Sequence, residues 1–186
     1  MNDYFIKGFY SDEVYAVLAE KNDFRVAIVN GLYAILLFLS YFLIGRWFFV
    51  SSKINHLLGV KELSVSPGWS VGWYFIPFAN LVMPYRSLKE TFKASFNSEE
   101  WQNNEVPYDF PFRWATFLIG NGLANISFRM DLALGETYSY EQLNQISYID
   151  IVTDVLLIIN AIFLFRIINI IYHNQKDKSF QLHQEN

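Results

Sequence analysis

The chain has 186 residues, of which 53% are hydrophobic and 19% aromatic, with only 17% charged and a net charge of −4. An acidic chain lacks the basic face that nucleic acid demands, and the absence of cysteine excludes disulfides, thiolate catalysis and Cys-type zinc sites. The length allows one domain, and its apolar residues gather into long segments, which points to a bilayer and to membrane lipids as the surrounding partner.

Residues 1–25 scatter Tyr4, Phe5, Phe9, Tyr10 and Tyr15 among Asp12, Glu13 and Glu20. The weak periodicity reads as a cytoplasmic lead-in helix or one resting on the bilayer surface. No apolar core with a small-residue cleavage site is visible there, so the first hydrophobic segment is expected to stay as an anchor. That segment, residues 26–45 (VAIVNGLYAILLFLSYFLIG), carries no charge and ends at Arg46. Twenty residues at about 1.5 Å each cover a hydrocarbon core of about 30 Å. Asn30 and Gly31 suit helix contacts.

A polar stretch, 51–66, leads into PGWSVGWYFIPFANLVMPYRSLKE, residues 67–90, around which the chain is organised. Residues 69–85 are uncharged and would reach about 25 Å as a helix. On helical spacing Trp69, Trp73, Pro77, Asn80 and Pro84 share one face. Pro77 and Pro84 would leave the carbonyls of Trp73 and Asn80 free, so this face should meet helices or a ligand rather than lipid. The segment reads as a proline-kinked span or, with Pro77 at its middle, as a re-entrant hairpin.

Residues 86–101 read as a surface helix with its charges on one side, and 102–111 as a linker holding Pro107 and Pro111. Residues 112–134 form a third span in which Asn121, Asn125 and Arg129 fall on one stripe, with Gly120 and Gly122 allowing close approach. A polar loop, 135–147, precedes a fourth span, 148–172, that holds Asp150, Asp154, Asn160 and Arg166. The polar tail, 173–186, is read as mobile.

With four spans the termini share a face. That face then holds Lys7, Lys21, Arg25, Arg86, Lys89, Lys93, Arg113, Arg166, Lys176 and Lys178, ten of the fourteen basic residues. The positive-inside rule makes it cytoplasmic, although Arg46, Lys53 and Lys61 are then stranded outside. On this arrangement Arg129 lies level with Asp154, and one of Asp154 and Asp150 should pair with it, because intramembrane charges find partners. Asn160 is expected level with Asn121 and Asn125. Arg166 reaches lipid phosphates.

Catalytic patterns are missing. His56, His173 and His183 lie outside the spans, and no HExxH, GxSxG or glycine-rich phosphate loop occurs. No metal or cofactor is implied, and the chain reads as a non-enzyme.

Pro67-Gly68-Trp69, Gly72-Trp73, Phe75-Ile76-Pro77, Asn80-Leu81, Pro84-Tyr85, Glu90 and Ala94-Ser95 resemble the core signature of the DUF4328 family. Arg46, Asn55 and Leu57-Leu58-Gly59 before it, and Arg166 followed by Gln175, are similar too. The resemblance implies a bacterial four-helix membrane domain and carries no catalytic residues, substrate or cofactor.

The expectation is therefore an all-α integral membrane bundle of four transmembrane helices in the bacterial inner membrane, with both termini cytoplasmic. It would serve as an interaction or accessory module for a protein partner or a second copy. The alternative is binding or transport of a small ligand, lipid or ion through a polar cavity between helices two, three and four.

Overall fold

A computed structural model describes residues 12–96, 100–134 and 139–184. Among them there is no strand. The elements are α1 (Asp12–Leu57), α2 (Pro67–Gly72), α3 (Met83–Phe96), α4 (Asp109–Leu132) and α5 (Tyr140–Gln184), with 3-10 turns at Trp73–Phe75, Ala79–Leu81 and Trp101–Asn103. Tyr4, Phe5, Lys7, Phe9, Tyr10 and Glu136 lie outside the described residues, as do the side chains of Asp12, Glu13, Tyr15 and His183.

Among the described residues two helices, α1 and α5, are long and apolar enough to cross a membrane. The chain divides into two compact units after Gly45. The described residues of the first, 12–45, are helix alone. Its apolar side chains, among them Ile35, Phe38 and Phe42, are exposed, and Gly31 faces open space.

The second unit begins with the last turns of α1. Gly59, at a φ of 75°, closes that helix: its N–H reaches the His56 carbonyl at 3.2 Å and the Val60 N–H reaches that of Asn55 at 3.2 Å. Left-handed backbone at a helix end favours glycine. Ser66 then caps α2, accepting from the Trp69 N–H, with Pro67 supplying the first helical position. Trp69 and Trp73 stack at 4.5 Å, and a Cβ at Gly72 would come within 3.0 Å of the Trp69 ring.

Residues 69–85 have two readings, a proline-kinked helix and a re-entrant hairpin; no helix runs through the segment, which is split among separate short elements. After a 3-10 turn the chain bends at Ile76–Phe78, where the Ala79 N–H donates to the Pro77 carbonyl at 2.8 Å across Phe78, at φ 63° and ψ −41°. This tight three-residue turn is a strained conformation. It also brings a donor to the Trp73 carbonyl that Pro77 would leave free. The Trp73 carbonyl accepts from the Ile76 N–H at 3.4 Å, the Ile76 carbonyl from Asn80 N–H at 3.0 Å, and the Leu81 carbonyl from the Trp114 indole at 3.0 Å.

Helix α3 corrects the surface helix expected at 86–101. Its charged residues Arg86, Lys89 and Lys93 do lie along one side, but Ser87, Leu88, Glu90, Thr91, Phe92, Ala94 and Ser95 are buried. Small side chains on the second face let neighbouring helices approach closely. Phe48, Leu88, Phe92, Phe110, Ile167 and Ile171 form the apolar centre, and Phe92 meets Phe110 edge-on at 4.8 Å. Pro111 falls in the first turn of α4, where the missing N–H costs no helical bond. The polar tail is helical as well: α5 continues through His173 to Gln184, held by bonds from Asn174, Gln175 and Lys178.

Helices α4 and α5 pack antiparallel in one register. Asp109 meets Arg166, Phe112 meets Phe163, Gly120 meets Leu157 and Ser127 meets Asp150.

Candidate functional site

The densest polar chemistry lies where α1, α3 and α5 converge. Asn55, 1% exposed, donates from Nδ2 to the Thr91 carbonyl at 2.9 Å. Gln175 donates from Nε2 to the Asn55 Oδ1 at 2.8 Å and to the Ser51 carbonyl at 2.8 Å, while its Oε1 accepts from the Ser51 hydroxyl at 3.3 Å. Both amides are thus engaged on their oxygen and nitrogen, which burial requires. One turn further, Asn174 donates to the Ser95 hydroxyl at 3.0 Å and Lys178 to the Ala94 carbonyl at 3.0 Å. Burial pushes the Lys178 ammonium below the ordinary lysine value.

Glu90 is the second hub. Its carboxylate accepts the backbone N–H groups of Ser64 and Val65 at 3.1 and 2.9 Å, and the Ser64 hydroxyl as well. The loop before α2 is therefore tied to the middle of α3. Trp101 adds to this from the far side, its indole donating to the Lys61 carbonyl at 2.9 Å.

A third cluster occupies the start of α4. Asp109 is fully buried and meets the Arg166 Nε at 3.1 Å, with Arg166 still 56% exposed. One turn on, buried Arg113 sits beside Tyr74. The Trp73 Nε1, Arg113 Nε and Asn160 Oδ1 are buried without a hydrogen-bond partner.

The sequence-derived residues are not gathered into one site. Trp69 on α2 stacks with Trp73 of the following 3-10 turn, Pro84 is buried in the first turn of α3, Asn80 is half-buried and Pro77 is exposed. The break at Ile76–Phe78 is what separates them. On α4, Asn121, Asn125 and Arg129 do form one stripe, but it is exposed. Asn121 bonds back to the Phe117 carbonyl at 2.7 Å, and Arg129 Nε to the Asn125 Oδ1 at 2.9 Å.

Arg129 therefore pairs with neither Asp154 nor Asp150. Asp154 is exposed, and Asp150 accepts from Ser127. The helix register accounts for this, since Arg129 and Asp154 stand about seven positions, or roughly 10 Å, out of level. Asn160 likewise lies level with the first turns of α4, near Thr116, and not with Asn121 and Asn125. Among the described residues no group of His, Cys, Asp and Glu could hold a metal.

Position-by-position chemistry leaves Ser51, Glu90, Asp109, Asn174 and Lys178 unremarked, because each acts through a partner distant in sequence. Asn55, Glu90, Ser95 and Gln175 are flagged only by the family resemblance.

No curated protein and no solved structure matches the chain. A family model does: Domain of unknown function (DUF4328), over residues 11–173. That match takes in the last turns of α1, the Trp69–Val82 segment and the Asn55, Glu90 and Arg166 positions, and the chain belongs to the DUF4328 family.

Proposed function

We propose that this chain is a non-catalytic integral membrane protein of the cytoplasmic membrane that acts as an interaction or accessory module. One observation carries the reading. Helix α4 turns Gly120 and Ser127 toward α5 and turns Asn121, Asn125 and Arg129 away, leaving an amide-and-guanidinium stripe uncovered on a helix of membrane length. Asn121 and Asn125 stand in the middle turns of that helix, where an uncovered amide is costly in hydrocarbon and polar residues face protein rather than lipid. A partner helix offering hydrogen-bond acceptors would relieve that cost, with open Gly122 allowing its approach.

A second reading, binding or passage of a small polar ligand or ion, draws on the unpartnered Trp73 Nε1, Arg113 Nε and Asn160 Oδ1. Native mass spectrometry from lipid nanodiscs separates the two. The interaction reading expects a stoichiometric assembly, with itself or a second membrane protein, that falls several-fold in Asn125→Leu. A lone monomer retaining one small molecule favours the second reading, and a bare monomer overturns both.

A further inference from the structure

We propose that the segment from Trp69 to Val82 is an aromatic wedge seated in one leaflet of a lipid bilayer, entering and leaving on the same face, so that the chain crosses three times. The membrane residence proposed above is its premise. The ends of the segment carry the argument. Ser64 and Val65 before it bond to Glu90 after it at 3.1 and 2.9 Å, and Asn55 bonds to the Thr91 carbonyl at 2.9 Å. A spanning helix would hold those flanks about 30 Å apart, on opposite faces of the bilayer.

The tip has the chemistry of a lipid contact. Phe75 is 81% exposed and Phe78 is 85% exposed, with Leu81 and Val82 open beside them. Around the tight turn that holds Phe78 outward, the N–H groups of Ile76, Ala79, Asn80, Leu81 and Val82 all find backbone carbonyls within the segment, bonds that lipid could not supply. Trp69 and Trp73 stack at the base of the wedge, and Trp114 donates to the Leu81 carbonyl, as interfacial tryptophans do. No charge occurs between Glu62 and Arg86; Arg86 and Lys89 then follow at the level of lipid phosphates.

Parity gives the consequence. Ser51 and Gln175 bond to each other, so the chain crosses an even number of times between them. With the wedge returning to its own face, α4 and α5 are those two crossings. A single crossing by residues 26–45 then places residues 12–25 on the face opposite the C-terminal end of α5. This arrangement leaves only Lys7, Lys21, Arg25 and Arg129 on the outer face, and the other ten of the fourteen basic residues inside. Arg46, Lys53 and Lys61, stranded outside by the four-span arrangement, move to the cytoplasmic side where the positive-inside rule wants them.

The cysteine-free chain suits a labelling test. Full-length Asp23→Cys, Lys61→Cys, Asn103→Cys, Asp131→Cys and Gln181→Cys would be treated with a membrane-impermeant maleimide in sealed right-side-out and inverted vesicles. Asp23 and Asp131 positions should react from one face, and Lys61, Asn103 and Gln181 positions from the other. Lys61 and Asn103 reacting from opposite faces would overturn the wedge, as would Asp23 and Gln181 reacting from the same face. Phe78→Cys should react at least tenfold faster with a lipid-soluble maleimide than with the impermeant one, and equal rates would overturn its seating in the leaflet. Alkaline carbonate extraction of the same vesicles tests the premise by itself: release of the protein would overturn membrane residence and the wedge with it.

Discussion

The Val65 backbone N–H donates to the Glu90 carboxylate at 2.9 Å, across the whole Trp69–Val82 segment. That bond, with the two from Ser64, sets where the segment begins and ends. Hydrogen bonds to a charged acceptor contribute about 1.5–3 kcal/mol each, and a buried group left unmatched costs about 1–3 kcal/mol. Glu90→Gln keeps one acceptor oxygen but turns an amide donor toward a donor. It should destabilise the protein by about 2–4 kcal/mol, read as a lower melting temperature in detergent and as proteolysis within residues 61–66.

Gln175 and Asn55 should behave as one unit. Removing Gln175 leaves the Asn55 Oδ1 and the Ser51 carbonyl without their donor. Gln175→Ala and Asn55→Ala are each expected to cost about 1–3 kcal/mol, and the double variant clearly less than their sum, because contacting residues couple by about 0.5–3 kcal/mol. Strict additivity in a thermal-unfolding cycle would contradict the network.

A charge-free run of twenty residues made the helix over 26–45 legible, and a strongly apolar run, despite Asp150, Asp154 and Arg166, did the same for the helix over 148–172. For residues 69–85 the prolines left two readings open, a kinked span and a re-entrant hairpin, and the bonds that favour the second join Ser64 and Val65 to a residue about 25 positions away. The buried face of helix α3 is hidden in the sequence for a related reason: Ser87, Thr91 and Ser95 have the composition of surface residues and are buried. The register of α4 against α5 failed at the loop. The polar run 140–147 belongs to the helix, so the connection is shorter than its composition suggests and every facing pair shifts.

The shifted register makes its own prediction. The charge swap Asp154→Lys with Arg129→Asp should recover no folded protein over Asp154→Lys alone, because the two residues are out of level. Ser127→Ala and Asp150→Asn should instead couple, by about 0.5–3 kcal/mol, through the bond they share. Yield of folded protein and a detergent unfolding cycle measure both.

Lys178 gives a pH dependence of defined sign. Its folded-state pKa is lowered by burial from the ordinary 10.5. Between the lowered value and 10.5 the unfolded chain binds more protons than the folded one, so stability rises with pH across that window. The neutral amine still donates to the Ala94 carbonyl. Lys178→Met removes the group, so the melting temperature of the parent relative to the variant should climb as pH rises toward about 10.5. A difference that falls across this range would reverse the assignment.

Gly120 and Gly122 stand on opposite sides of the same question. A Cβ at Gly120 would lie 3.4 Å from the Leu157 Cδ2, whereas one at Gly122 meets nothing within 4 Å. Gly120→Leu should force α4 from α5 and cost about 1–3 kcal/mol, the usual range for overpacking. Gly122→Leu should leave the fold intact, or stabilise α4 by up to about 1 kcal/mol through helix propensity. If the Asn121–Arg129 stripe is a partner surface, Gly122→Leu should nevertheless disperse the assembly seen in nanodiscs, because leucine holds a neighbouring helix off. Loss of assembly with an unchanged melting temperature would locate the contact on this face of α4. An assembly that survives Gly122→Leu would move the contact elsewhere and leave the stripe to water or lipid headgroups.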